Sequence, residues 1–309
     1  MEIIKTLLSE RRFGILMILI TGFTGNTGSL VLKRLLKTTS PQEIVGITRN
    51  PISEEYSNIH NYVGDLTNPN VIDDLFSKYN IESIIHIANI RYSPLLLKKA
   101  NEFNVKKVVL IHTTGIYSKY RSYSSLYKKI EQEILSNSYP NTNYIILRPT
   151  MIYGNHRDHN MHKLIRFINK SPIFPVFGDG SSLMQPVHVE DLANATIAAY
   201  HSKEVFNEDF DLSGGSVVTY KEVLTYITSG LGRKTKLVYI PIKFAVLGAK
   251  FLKRLMPKPI ISVEQVERLQ EDKAYSHEKA KKLLGYKPRT FKDGILQEIE
   301  LLKGKGIIK

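Results

Sequence analysis

Short apolar segments recur along the first half of the chain, at residues 13–20, 44–47, 84–87, 108–111 and 144–147. They are rich in β-branched residues and do not alternate with polar ones, the pattern of strands buried on both faces. Between them, residues 27–36, 71–79, 94–104 and 124–135 carry apolar positions at helical spacing, such as Leu30, Val31, Leu32, Leu35 and Leu36. Strands alternating with helices predict a parallel sheet covered on both sides, the doubly wound α/β architecture.

Beyond Gly154 the rhythm changes to a mainly helical one. Thr219–Glu222 and Ser262–Gln265 both match the capping box, so helices are expected to start there. Gly285 reads as the stop of a helix over 280–284, with Pro288 beyond it, and residues 185–189 and 210–212 are candidate strands that return to the first sheet. No internal repeat interrupts this organisation.

The run over 13–20 is shorter than the roughly 20 residues a bilayer span requires. Met17 directly precedes its strand-like end, so residues 1–16 are expected to be an extension or an upstream mis-start. Hydrophobic residues at 42% and charged ones at 23% fit a globular chain long enough to bury a core. The complete lack of cysteine excludes thiol nucleophiles, thiolate metal sites and disulfides, and suits a cytoplasmic setting. A net charge of +14 points to anionic partners. With no basic arm and no aromatic-spaced RNA motif, a nucleic-acid partner is not expected.

The first strand runs into Thr21-Gly22-Phe23-Thr24-Gly25-Asn26-Thr27-Gly28 and then into a helix. Glycines placed there permit a tight turn, bring backbone amides up to a diphosphate and let helix pack closely on strand, which is how a dinucleotide is held. An acid about 20 residues further on would bind the ribose hydroxyls of NAD. The next strand instead ends in Thr48-Arg49-Asn50. Arg49 presents a planar fork suited to a 2′-phosphate, so NADP(H) is favoured over NAD(H).

With TGFTGNTG at 21–28 go GDL at 64–66, HIAN at 86–89, LIHTTGIY at 110–117, LRPTMIYG at 147–154 and FGDGSSLMQPVHVEDLANA at 177–195. Together they resemble the extended and atypical short-chain dehydrogenase/reductases, the superfamily of sugar-nucleotide epimerases and dehydratases, over residues 17 to about 302. The resemblance implies a Rossmann domain over 14–178 with 185–215 returning to it. It implies a smaller, mainly helical C-terminal substrate lobe over 216–309, with part of 154–185. It also implies coenzyme contacts from Gly22, Thr24, Gly25, Asn26, Thr27 and Gly28, from Asp65 and Leu66 at the adenine, from Ala88 and Asn89 further along, and from Thr150 and Met151 beside the nicotinamide. Asn160, Gln185 and His188 become candidates for the substrate, and a homodimer is the implied assembly.

Such enzymes use a Ser or Thr hydroxyl, with a Tyr and a Lys spaced Y-x-x-x-K on one helix face. Thr113 falls at the hydroxyl position, with Thr114 its neighbour. Lys129 fits the lysine position because Glu133 follows at the family's K-x-x-x-E spacing, and it is also a candidate for the nicotinamide ribose. Ser125 then stands at the usual tyrosine position, and an aliphatic hydroxyl is a poor acid or base near neutrality. Three arrangements stay open: a tyrosine displaced from Tyr117, Tyr120, Tyr123 or Tyr127, another acid–base group on the substrate lobe, or coenzyme binding without turnover as a sensor or assembly subunit.

His156, His159 and His162 lack the spacing of a zinc site, so no metal is expected; they read as a loop entering a helix over 160–168. Residues 239–261 mix apolar and basic positions. They read as a helix packed on its own domain with a basic outer face, an anionic membrane surface being the lesser alternative. The expectation is an NADP(H)-preferring oxidoreductase, epimerase or dehydratase acting on a sugar nucleotide or related glycan precursor.

Overall fold

The computed structural model describes residues 14–158, 160–255 and 263–309. Its centre is a seven-stranded sheet in the order β11-β6-β5-β4-β1-β2-β3. The strands are β1 (Met17–Thr21), β2 (Ile44–Thr48), β3 (His60–Val63), β4 (Ile81–His86), β5 (Lys107–Ile111), β6 (Asn143–Pro149) and β11 (Glu208–Leu212). All pair in parallel. Along β1, Met17 and Leu19 pack into one cluster with Ile84, Leu96 and Leu97, while Ile18 and Ile20 pack into another with Val31, Leu32 and Leu35. This two-sided burial is why these strands read as unbroken apolar runs.

The crossovers are helices α1 (Asn26–Leu35), α2 (Pro69–Lys78), α3 (Ser93–Glu102) and α4 (Arg121–Ser136). The strand β3 has no apolar signature, because it lies at the sheet edge, half exposed and with β2 as its neighbour. Of the two candidate return strands, 208–212 joins the sheet beside β6. The stretch 185–189 does not: its residues Val187–His188 (β10) pair with Ile152–Tyr153 (β7) as a separate two-stranded piece. A helix begins at Val189 directly after His188, which ends this strand at two residues.

From β10 the chain enters α6 (Val189–His201), which packs on α1. A second layer gathers α5 (Met161–Lys170), α7 (Tyr220–Gly230) and α11 (Phe291–Gly304) around Tyr153, Ile165, Leu224 and Phe291. The strands β8 (Ile173–Phe177) and β13 (Lys236–Ile240) form a parallel ribbon beside it, and β9 (Leu183–Met184) and β12 (Val218–Thr219) a short antiparallel one. The remaining helices are α8 (Ile242–Leu255), α9 (Val263–Glu267) and α10 (Glu278–Leu284). Thr219 and Glu222 form the expected capping box, and Gly285 ends α10 with φ +64°. The second expected box begins at Ser262, which lies outside the described residues, as do residues 1–13 and 256–261.

Candidate active site

The carboxyl ends of β1, β2 and β4 open into a cleft of about 600 Å³ lined by Gly22, Thr24, Arg49, Asp65, Leu66 and Asn89, among others. Its floor is set by Thr21, whose Oγ1 accepts from the amides of Ile87 (3.1 Å) and Ala88 (3.2 Å) and lies 2.7 Å from His86 Nδ1. With both acceptor positions of the hydroxyl used, its proton goes to Nδ1. His86 Nε2–H then faces the carbonyl of Asn89 at 3.3 Å. Burial, with the nearby His112 a smaller contribution, lowers the His86 pKa to about 3, so this neutral tautomer persists at physiological pH. The network locks Ala88 and Asn89 onto the end of β1.

Gly22 adopts φ +69°, and a Cβ on it would lie 2.7 Å from the Ala88 nitrogen. A Cβ on Gly28 would lie 2.0 Å from the Gly22 carbonyl oxygen, so helix and loop touch only because that side chain is absent. The α1 N-cap is Gly25, with no side chain capping the helix and no acid in the first turn. Its amides are therefore left for an anion, and a dinucleotide diphosphate fits this cradle. Two residues outside the motif close over it. Asn155 Nδ2 donates to Asn26 Oδ1 (2.5 Å), and Arg157 donates to the Thr24 carbonyl (2.5 Å). Arg157 comes from the loop after β7, some 130 positions along the chain, and only the local tandem of polar residues after Gly154 hinted at it.

Three further clefts continue the first. One of about 360 Å³ shares Ala88 and Asn89 with it and adds Thr27, His112, Thr113 and Tyr127. A second of about 750 Å³ takes in Gly25, Asn26, Thr113, Thr150, Arg157 and Asn160. A third of about 240 Å³ reaches the second lobe through Thr113, Thr150, Met151, Asn160, Gln185 and Lys273. Thr113 lines all three. Its side chain accepts from the Gly115 amide (3.0 Å), leaving the hydroxyl proton to donate. Thr114 is spent, since its hydroxyl is buried and donates to the Pro149 carbonyl (3.2 Å).

Helix α4 borders this junction. Ser124, Ile130, Glu131 and Ile134 are buried on one side, and Ser125, Lys128, Lys129, Gln132 and Glu133 face solvent on the other. Glu131 accepts from Arg148 Nε (2.9 and 3.0 Å) and a terminal guanidinium nitrogen (2.6 Å), and from His112 Nδ1 (3.0 Å). Burial would raise the Glu131 pKa, but His112 and Arg148 hold it below the usual carboxylate range. His112 is itself held low by burial and rests its Nε2 against Ser93 Oγ at 3.1 Å. Arg148 continues outward to the Tyr117 hydroxyl (3.2 Å) and to Asp209. Tyr117 also donates to Asp211 (2.9 Å), and burial first, then that acid, raises its pKa. Tyr117 is therefore tied to the β6–β11 edge rather than to Thr113.

The sequence profile of the NAD dependent epimerase/dehydratase family matches residues 18–212. The chain belongs to that family. A UDP-glucuronate 4-epimerase from Thermodesulfobacterium geofontis is 25% identical over 246 residues, covering 66% of this chain and 76% of the relative. The Bos taurus short-chain dehydrogenase/reductase family 42E member 1 is 30% identical over 174 residues, where this chain spans 44% of the relative's length. Among solved structures, Thermotoga maritima UDP-glucose 4-epimerase with UDP-glucose superposes with a TM-score of 0.72 at 19% identity, covering 94% of this chain and 99% of that one. Bacillus cereus UDP-glucuronic acid 4-epimerase in complex with UDP-glucuronic acid and NAD gives 0.71 at 19% identity, covering 94% and 100%. These structural likenesses are of fold.

Lys129 and Ser125 lie one turn apart on the solvent side of α4 and line none of the clefts above; the structure does not bring them to Thr113. The buried acid is Glu131 and not Glu133, two positions away from the assumed register. Four residues before it stands Tyr127, which lines the cleft with Thr113 and Asn89. The apolar spacing of Ile130 and Ile134 could have marked this face, and the Arg148 within an apolar strand called for a buried acid.

Of the other expected residues, Asp65 is exposed at the first cleft, where its side chain accepts from the Thr67 amide (2.9 Å). Thr150 Oγ1 donates to the Gln185 carbonyl (2.6 Å). Gln185 donates to the Gly214 carbonyl (2.9 Å) and accepts from the Tyr275 amide (3.0 Å), so its side chain spans the cleft wall. His188 lies beneath that wall: buried, edge-on to the Tyr153 ring at 5.4 Å, and accepting from the Glu190 amide at the start of α6 (3.3 Å). Burial, then the Arg289 charge, lowers its pKa to about 4. His162 Nδ1 turns to the Asp158 carbonyl (3.2 Å), and His159 lies outside the described residues. Sequence reasoning missed Lys273 and Tyr275, which line the substrate-side cleft from a segment with no motif of its own.

Proposed function

We propose that the protein binds a nicotinamide dinucleotide, NADP(H) in preference to NAD(H), and performs epimerisation, dehydration or keto reduction on a sugar nucleotide or related glycan precursor. The observation that carries this reading is Thr113, whose hydroxyl lies where the coenzyme-side clefts and the substrate-side cleft meet. When bound, the coenzyme supplies a hydride donor or acceptor. The amides of Gly22 to Gly28 and the start of α1, joined by Arg157, hold the diphosphate; Arg49 meets the 2′-phosphate; Asp65 and Leu66 border the adenine. Ala88 and Asn89 flank the middle of the dinucleotide, and Thr150 and Met151 the nicotinamide end. Thr113 donates to the reacting oxygen of the substrate, and Asn160 orients it from the second lobe. Tyr127 takes the proton role from the cleft wall beside Thr113, Ser125 and Lys129 lying on the solvent side of α4.

Turnover is tested by mixing the protein with NADP⁺ and UDP-glucose or UDP-glucuronate, and following reduced nicotinamide by absorbance and the sugar by NMR. Loss of signal in Thr113→Val and a drop in Tyr127→Phe support the reading; unaltered activity in both overturns these assignments. Among the described residues, the cleft that holds both Thr113 and Tyr127 is lined by no lysine, which favours a second reading, a non-catalytic coenzyme sensor. Tight NADPH uptake with no chemistry on a panel of sugar nucleotides would select it. No uptake of either coenzyme would remove both.

A further inference from the structure

From residue 223 to residue 263 the chain contains no Asp or Glu, and it carries eight Lys and Arg in that interval, against a net charge of +14 for the whole protein. Arg233, Lys234, Lys236, Lys243 and Lys250 are exposed. The same segment carries two highly exposed large apolar side chains, Phe244 at 67% and Leu247 at 63%, three positions apart on one side of α8. Val238 and Tyr239 on β13 are also exposed, as is Ile173, which sits opposite Lys236 in the ribbon. Single exposed apolar residues are ordinary, but Phe244 and Leu247 share one side of a helix whose described charges, Lys243 and Lys250, are all cationic; the acids nearby are Asp179, in a cavity with Tyr239 and Ile242, and those of α9.

We propose that α8, with the basic residues that precede it, docks on an anionic lipid surface. An amphipathic helix with apolar residues on one side and lysines beside them lies in the plane of the headgroups, its apolar side chains entering the acyl boundary and its ammonium groups meeting phosphates. Among the described residues no helix is long and apolar enough to cross a membrane, so the contact is peripheral. Charge decides among occupants. A second copy of the same helix would set Lys243 and Lys250 against their own counterparts. A nucleic acid would engage the lysines and leave Phe244 and Leu247 in water. A lipid surface satisfies both. Helix α8 packs on α9, which leads into Glu271 and Lys273 at the substrate-side cleft, so docking would bring that cleft to the membrane plane. The proposal stands independently of the coenzyme reading.

The test is flotation of the whole protein with vesicles of phosphatidylglycerol and phosphatidylcholine, against vesicles of phosphatidylcholine alone. Binding is expected to the anionic vesicles and to fall steeply as salt is raised, since the Debye length shortens to about 3 Å at 1 M. Each of Lys243→Gln and Lys250→Gln should lower partitioning about fivefold. The double variant Phe244→Ser/Leu247→Ser should lower it at least about tenfold with an unchanged thermal midpoint, because both side chains are solvent-exposed in the free protein. Absence of binding to anionic vesicles overturns the proposal. So does binding that ignores the Phe244/Leu247 variant, or sedimentation showing a dimer that this variant dissociates.

Discussion

The buried pair of Glu131 and Arg148 offers a sharp energetic test. Glu131→Gln keeps the shape of the side chain and removes its charge, while the Arg148 guanidinium, with 7% of its side chain exposed, stays in the interior. Breaking a buried pair from one side costs about 3–5 kcal/mol, because the surviving charge is left desolvated. Arg148 keeps Asp209 and Asp211 at its outer end, whose side chains are 46% and 23% exposed and so offset part of that cost in a more solvated setting. The expected loss is therefore near the lower bound, about 3 kcal/mol, a large share of the 5–15 kcal/mol typical of a folded domain. Urea denaturation followed by circular dichroism should show the midpoint falling with the slope unchanged. The double variant Glu131→Leu/Arg148→Met should recover most of the loss, since an apolar pair of similar volume removes both desolvation penalties. A loss under about 1 kcal/mol, or a double variant no better than the single one, would refute the reasoning.

Gly28→Ala places a methyl 2.0 Å from the Gly22 carbonyl, a backbone atom that cannot rotate away, so stability should drop by about 3 kcal/mol and calorimetric NADPH affinity by at least tenfold. Arg49→Ala removes an exposed side chain, so the fold should hold while the NADPH dissociation constant rises about tenfold or more and that of NADH does not; equal changes for both coenzymes would defeat the 2′-phosphate assignment. Acid should weaken the fold through His86: its folded pKa of about 3 lies below the 6.5 of the free side chain, so its contribution is whole above pH 6.5 and fades as pH falls towards 3. Between pH 7 and pH 5 that amounts to about 2 kcal/mol, and a His86→Gln variant should show a flatter stability profile over that interval.

Much of this molecule was legible in one dimension. The glycine-rich turn after β1 demands a positive φ at Gly22 and a missing side chain at Gly28, requirements that act between near neighbours and therefore appear as residue types at fixed spacing. The apolar strands appear because each is buried on both faces. The Thr219–Glu222 box and the Gly285 stop are contained within a single helical turn.

What stayed hidden involves partners far apart in sequence. Spacing alone points to Glu133 on α4, whereas the buried, paired carboxylate is Glu131, which only Arg148 arriving on β6 and His112 at the end of β5 identify. A shift of two residues carries a side chain to the opposite side of a helix, and with it went Ser125, Lys129 and Tyr127. The Arg157 clasp on the glycine loop and the siting of His188 beneath Tyr153 depend likewise on loops brought together by the second layer. Local chemistry thus determined where a dinucleotide cradle could form, whereas long-range packing and charge pairing decided which side chains face it.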